Sequence, residues 1–415
     1  MGTANQNCWV LAGDWLVRAA GHGEWRTAAD RGLDESGWQA TPTVRRWWMD
    51  ADLAGESAVL YRRHFELPPE LAAELGGADS TARHDARWWF VASGLCDLGH
   101  LWLDEAYLGD LRGRHFEHAF EVSHLLRSSS DHLAAVEASR GAAHAASGAG
   151  SHLRISKSGP ARIARSRALV IEASYDRAVL RVSATVDSSG THRAEVTTTV
   201  LPIDDPDAGW SEDPTRPLAR LGDGLAVSEP VLARGQNDLV WLVALEGPAL
   251  WWPAGMGDQE QYCINIDVSI DGRSSHAVRL RTGVRTAVLR SGELYVNGES
   301  CGGRPGEVAA AQHDLADRGT YDDADAAGTM LCQQIALDPN VYAGAERGLR
   351  ALAARAAASA ADHAGHHPSV VSWQPLPPPG RRQWPRAFSP WAYRSMASAM
   401  RAADPTRPVL PPDRR

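Results

Sequence analysis

The chain has 415 residues, 44% of them hydrophobic and 22% charged, enough apolar material for several cores and therefore for two or three domains. A formal net charge of −9 gives no electrostatic reason for nucleic acid or an anionic membrane to bind, and a neutral substrate fits better. Asp14 interrupts the apolar residues of the N-terminus and no stretch reaches the roughly 18 apolar residues of a membrane span, so the expected location is cytoplasmic.

Cys8, Cys96, Cys263, Cys301 and Cys332 are odd in number and scattered, which predicts reduced thiols rather than a disulfide framework or a zinc site. Tryptophan is in excess, with 16 Trp against 5 Phe and the pairs Trp47-Trp48, Trp88-Trp89 and Trp251-Trp252. Indole faces stack on sugar rings and also fill β-sandwich cores. For any one Trp the core is the better reading, and only the total points to carbohydrate.

In chain order, the elements predicted between Val59 and about Val136 are short strands and turns. Leu60 to Phe65 reads as a strand closed by Pro68-Pro69, and Trp88 to Val91 as another ending at Gly94. Leu101-Trp102-Leu103 leads into a turn at Asp104-Glu105, and Phe116 to Val122 is one more strand. Ser139 to Ser151 is Gly, Ala and Ser with little to bury, as in a flexible loop. In Leu180, Val182, Ala184 and Val186, and again in Ile264, Ile266, Val268 and Ile270, apolar residues alternate with polar ones, which predicts strands buried on one face. With Asp238 to Leu245 between them they build a small antiparallel sandwich, and Asp271-Gly272 is a turn.

After Gly283 strands and helices alternate. Leu294-Tyr295-Val296 closes on an Asn297-Gly298 turn, while Met330 to Ala336 and Ser369 to Trp373 read as buried strands. Ala343 to Asp362 is an alanine-rich helix, and a last helix has Ser389 as N-cap and Pro390 at its first position, stopping before Pro405. Strand then helix predicts an α/β unit. His363, His366 and His367 have no carboxylate or cysteine at ligand spacing, so a structural or solvated role is expected. Asp322, Asp323 and Asp325 lack the glycine and distal glutamate of a calcium loop and read as a solvated turn. No metal and no cofactor is predicted.

Three groups of motifs, in order, resemble glycoside hydrolase family 2, most closely its β-mannosidase branch. Leu60 to Phe65, Gly94 to Gly109 and Phe120-Glu121-Val122 look like the family's N-terminal jelly roll. Leu250-Trp251-Trp252-Pro253-Ala254-Gly255 to Tyr262, Gly283-Val284-Arg285-Thr286 and Val296-Asn297-Gly298 resemble the lead into its barrel. Ala327 to Leu331, His367-Pro368-Ser369-Val370-Val371-Ser372-Trp373 and Asp404-Pro405-Thr406-Arg407-Pro408 resemble pieces of that barrel. The resemblance implies a jelly-roll sandwich over residues 1–174, an immunoglobulin-like sandwich over 175–283 and an incomplete (β/α) barrel over 284–415. The last stretch is about half of the roughly 250 residues that a complete barrel takes.

The family's chemistry needs two glutamates about 5 Å apart, an acid/base and a nucleophile. Laid on this chain, the family's Asn-Glu acid/base falls on Pro377 and Pro378, and no glutamate follows Glu346. The nucleophile is expected beyond Arg415. The branch's Trp-Asp-Trp-Gly-Pro motif, whose Asp holds the terminal sugar, matches Ser156-Lys157-Ser158-Gly159-Pro160 with Lys157 in place of the Asp. Trp373 is the candidate substrate-binding residue. Three functions are compatible with this pattern: an active β-mannosidase-type hydrolase, a non-catalytic relative that binds carbohydrate or a partner, and the product of an eroded gene. The expected partner is a β-mannoside or related oligosaccharide, and a homodimer is among the assemblies allowed.

Overall fold

The computed structural model describes residues 8–21, 24–42, 44, 52–76, 86–93, 95, 98–112, 117–139, 152–203, 224–312, 315–316, 318–336, 346–376 and 390–411. The chain divides into two compact units near Gly159. Among the described residues no helix is long and apolar enough to cross a membrane.

The first unit contains β1 (Cys8–Val10), β2 (Trp15–Ala19), β3 (Gln39–Thr41), β4 (Ala58–Glu66), β5 (Arg87–Ser93), β6 (Leu98–Leu103), β7 (Ala106–Arg112), β8 (His118–Glu121), β9 (Asp131–Ser139) and β10 (His152–Ser158). They pair antiparallel in two sheets, ordered β1-β10-β5-β8 and β3-β2-β4-β9-β6-β7. Trp88, Phe90 and Ile155 from one sheet meet Trp15, Tyr61, Leu101 and Val136 from the other in one apolar core. Burying such side chains between two inner faces is what a sandwich does with period-two alternation. The predicted turn after Leu103 is present: Asp104 sits at φ 56 and its carboxylate accepts the Leu133 amide and pairs with His132. The predicted loop from Ser139 to Ser151 falls almost entirely outside the described residues, as do Trp47-Trp48, Gly94 and Cys96.

The second unit opens with β11 (Ala161–Ala173), β12 (Arg177–Ser188), β13 (His192–Pro202), β14 (Gly224–Ser228), β15 (Val231–Leu232), β16 (Gly235–Glu246), β17 (Tyr262–Ile270) and β18 (Arg273–Thr282). The two predicted alternating strands are β12 and β17, and their apolar residues form the core. Asp271 and Gly272 turn the chain with φ 50 and φ 72, as a tight hairpin requires. The expected boundary at residue 174 lies too late, because β11 pairs with β12 along its whole length and belongs to this sandwich. Arg162, Arg165 and Arg167 break its alternation, which hid the strand.

β19 (Ala287–Arg290), β20 (Glu293–Val296) and β21 (Glu299–Ser300) form a short antiparallel meander. Then come the parallel strands β22 (Ala310–Gln312), β23 (Leu331–Ala336) and β24 (Val370–Leu376), separated by helices Arg318–Ala327 and Glu346–Ala364 and followed by Pro390–Ala403. Val409 bridges to Trp373 in parallel. This is an open piece of (β/α) architecture, and the alanine-rich helix and the last helix stand where predicted, with Ser389 outside the described residues. The helix Glu346–Ala364 lies against β11, where Arg167 binds Asp362 and the Ala358 and Ala403 carbonyls.

Candidate functional site

Parallel strands present their carboxyl ends to one side, where (β/α) enzymes place catalytic groups. Here those ends carry amides. Gln334 donates to the Oε1 of Gln374 at 2.8 Å, Gln374 donates to the Pro411 carbonyl, and Gln333 donates to the Gln312 and Gln334 carbonyls. Within the described residues of β22, β23 and β24 there is no carboxylate. Pro377 and Pro378, onto which the resemblance lays the acid/base pair, follow Leu376 in sequence and fall outside the described residues.

Beneath that rim the two barrel-like motifs meet. Trp373, expected to contact a substrate, is fully buried and donates its indole N–H to Asp404 at 2.8 Å. Its ring therefore has no face turned to solvent in this arrangement. Asp404 also accepts from the Thr406 amide and hydroxyl and from Arg407 Nη1 at 2.7 Å. Arg407 continues to the carbonyls of Val370 and His367, and Arg285 donates to those of Pro368 and Val370. Burial pushes the Asp404 carboxyl up, and Arg407 with the other donors outweighs it, so the group stays below the usual carboxylate range. The Asp-Pro-Thr-Arg-Pro segment thus clamps the start of β24.

A second buried cluster sits beside it. Asp325 accepts from the Ser369 amide at 2.9 Å and meets His367 Nδ1 at 2.6 Å, while Tyr321 stacks on His367 with ring centres 4.9 Å apart. Burial raises the Asp325 carboxyl to about 7 and pushes His366 and His367 well below the usual histidine range. The solvated turn expected at Asp322, Asp323 and Asp325 is instead part of the helix Arg318–Ala327, with Asp325 completely buried. Tyr321 and Asp325 stand four residues apart, the spacing of one helix face, and that spacing was the available signal.

His367 also finds in space the carboxylate that its sequence neighbours lack. Ligand atoms of Asp322, Asp325 and His367 lie within 4.8 Å of one another, a possible cation geometry. Both Asp325 oxygens are already engaged, and Arg281 and Arg285 act on the same carboxyl, which opposes a further cation. Lys157, in the first unit, pairs with Glu74 and lies over the Trp88 ring, with its ammonium 5.8 Å from the ring centre.

No family model matches the sequence. Two curated proteins match short stretches: an exo-β-D-glucosaminidase of Amycolatopsis orientalis, 44% identical over 63 residues, and β-mannosidase A of Aspergillus aculeatus, 44% identical over 57 residues. These stretches take in 14% and 13% of this chain and 6% of each relative. Among solved structures, a glycosyl hydrolase family 2 member from Bacteroides cellulosilyticus superposes with a TM-score of 0.72 at 14% identity, covering 98% of this chain and 57% of its own. A β-glucuronidase of Bacteroides uniformis (TM-score 0.70, 14% identity, 97% and 52% covered) and a β-D-mannosidase of Dictyoglomus thermophilum (0.68, 13%, 97% and 57%) are similar. The chain thus spans little more than half the length of these structures. Across nearly its whole length it shares the fold of a part of these glycoside hydrolase family 2 structures.

Proposed function

We propose that the chain is a β-mannosidase-like member of glycoside hydrolase family 2 that has kept the fold and lost the hydrolytic chemistry. The observation that carries this reading is that the described ends of β23 and β24 offer only amides, and the family resemblance lays the acid/base pair on Pro377 and Pro378 just after them in sequence. A general acid must hold a transferable proton near neutral pH, which proline and glutamine do not. Asp404, the buried carboxylate nearest in sequence, is held ionised by Arg407 and is committed to structure.

A binding role is favoured by one surface of the first unit. Tyr107 is about half exposed and packs beside Trp102 and His100, with Asp110 and Glu137 at the edge of the rings. An exposed tyrosine ring with carboxylates beside it suits a sugar ring. The hydrolytic loss is tested by repair: Pro377→Asn with Pro378→Glu restores the acid in sequence and introduces no second glutamate to act as nucleophile. General acid catalysis supplies roughly 10² to 10⁴ in rate, so the double variant is expected to remain inactive on an aryl β-mannoside. Turnover by the unmodified chain would overturn the reading.

A further inference from the structure

Among the described residues, the sandwich of β11 to β18 ends on one side in a long edge strand, β16, with Gly224 near its Ala244 carbonyl. β16 closes the order β11-β12-β16, and among the described residues no strand pairs with its other side. Its exposed face carries Gln236, Asp238, Val240, Leu242, Ala244 and Glu246 in alternation, with Val240 56% and Leu242 58% exposed. The neighbouring edge of the second sheet, β14, repeats this character. Leu225 and Val227 are exposed there, and so is Val231 just beyond it. The two edges converge where Gly224 lies against Val243 and Leu245. An edge of twelve residues without lysine or proline, carrying apolar side chains outward, is the kind that recruits another strand.

The pattern on β16 identifies that strand. When β16 is set antiparallel against a second β16 with the two-fold axis at Trp241, Val240 falls opposite Leu242 of the other copy, twice. Asp238 then falls opposite Ala244 and Gln236 opposite Glu246. Shifting the axis to Val240 sets Leu242 against Asp238, and shifting it to Leu242 sets Asp238 against Glu246. Of these three registers, the one about Trp241 joins Val240 to Leu242 and keeps every carboxylate away from its like. Within its own chain Asp238 accepts from the Thr185 hydroxyl at 2.6 Å, and Glu246 has the Arg177 guanidinium at 3.9 Å.

We infer that the chain is a two-fold dimer built by antiparallel β16 to β16 pairing, which joins the two three-stranded sheets into one six-stranded sheet. Directly opposed side chains in such a pair sit roughly 5 Å apart, so Val240 and Leu242 cover each other. The association is two-fold and uses the same edge of both copies, so the β16 edge is consumed when the pair forms. This inference is independent of whether the chain hydrolyses glycosides.

Sedimentation velocity on the whole chain at micromolar concentration tests it. The expected species has twice the chain mass, and Val240→Lys with Leu242→Lys shifts it to the chain mass while the far-ultraviolet circular dichroism is kept. Should the lysine variant fail to fold, Val240→Thr with Leu242→Thr retains strand preference and is expected to weaken the dimer. Asp238→Cys with Ala244→Cys, oxidised, is expected to give a covalent dimer that the parent chain does not form. A monomeric parent, species larger than the dimer, or a dimer unaffected by the lysine and threonine pairs would overturn the proposal.

Discussion

At the scale of single residues, the barrel-like motifs serve the core rather than a substrate. Asp404 and Arg407 form a buried pair whose members each have further partners, so neither carries an uncompensated charge. Arg407→Met removes the cation and leaves the Asp404 carboxylate without its ion partner. The expected cost is about 3 to 5 kcal/mol in urea unfolding, and Asp404→Asn in the same background should recover part of it. The cluster around Asp325 gives a prediction in pH. Its carboxyl is raised from 3.8 to about 7, so its contribution to stability is complete below pH 3.8 and is lost as pH rises towards 7. His366 and His367 are lowered from 6.5, so their contribution is present above that value and is lost as pH falls. The two effects oppose each other between those limits. Asp325→Asn removes the first and leaves the second, so the variant's stability should climb more steeply with pH from about 5 to 7, within the limit of about 1.4 kcal/mol per pH unit per proton. Urea midpoints measured across that range check it, and parallel curves for parent and variant would contradict it.

Among the elements, the helix Arg318–Ala327 depends on how it stops. Gly328 follows it at φ 67, and a Cβ there would lie 2.6 Å from the Ala254 amide nitrogen. That amide donates to the Gly328 carbonyl, so the two backbones cannot separate without losing the bond. Gly328→Ala therefore combines left-handed strain with a backbone clash, and a loss of about 1 to 3 kcal/mol is expected by thermal or urea unfolding. The elements differ in how legible they are. β12 and β17 were visible because each buries one face and shows it by alternation. β11 was hidden because three arginines interrupt its pattern, one of them turned to the helix Glu346–Ala364 instead of solvent. Asp325 was hidden for the opposite reason: acidic residues close together suggest solvent, and only its distant partners His367 and Ser369 make it a core residue. The family position of Trp373 points to substrate, whereas the contact that fixes its place, Asp404, lies beyond β24 in sequence.

For the whole molecule, the fold is shared with glycoside hydrolase family 2 structures, and a shared fold does not by itself carry the chemistry. The sandwiches and the start of the (β/α) part need only burial, turns and a few buried ion pairs, and these the chain retains. Hydrolysis with retention needs two carboxylic groups set about 5 Å apart, and at the strand ends where the first is expected there are Gln334, Gln374 and then proline. Fold and function separate in this way because function resides in sites placed on a fold. The most direct measurement is hydrolysis of aryl β-mannoside, β-glucosaminide and β-glucuronide by the purified, unmodified chain. No turnover above the uncatalysed rate is predicted for any of them. Turnover on one, abolished by replacing a carboxylate of this chain such as Asp404 in a variant that still folds, would contradict the account and assign catalysis to a different pair of residues.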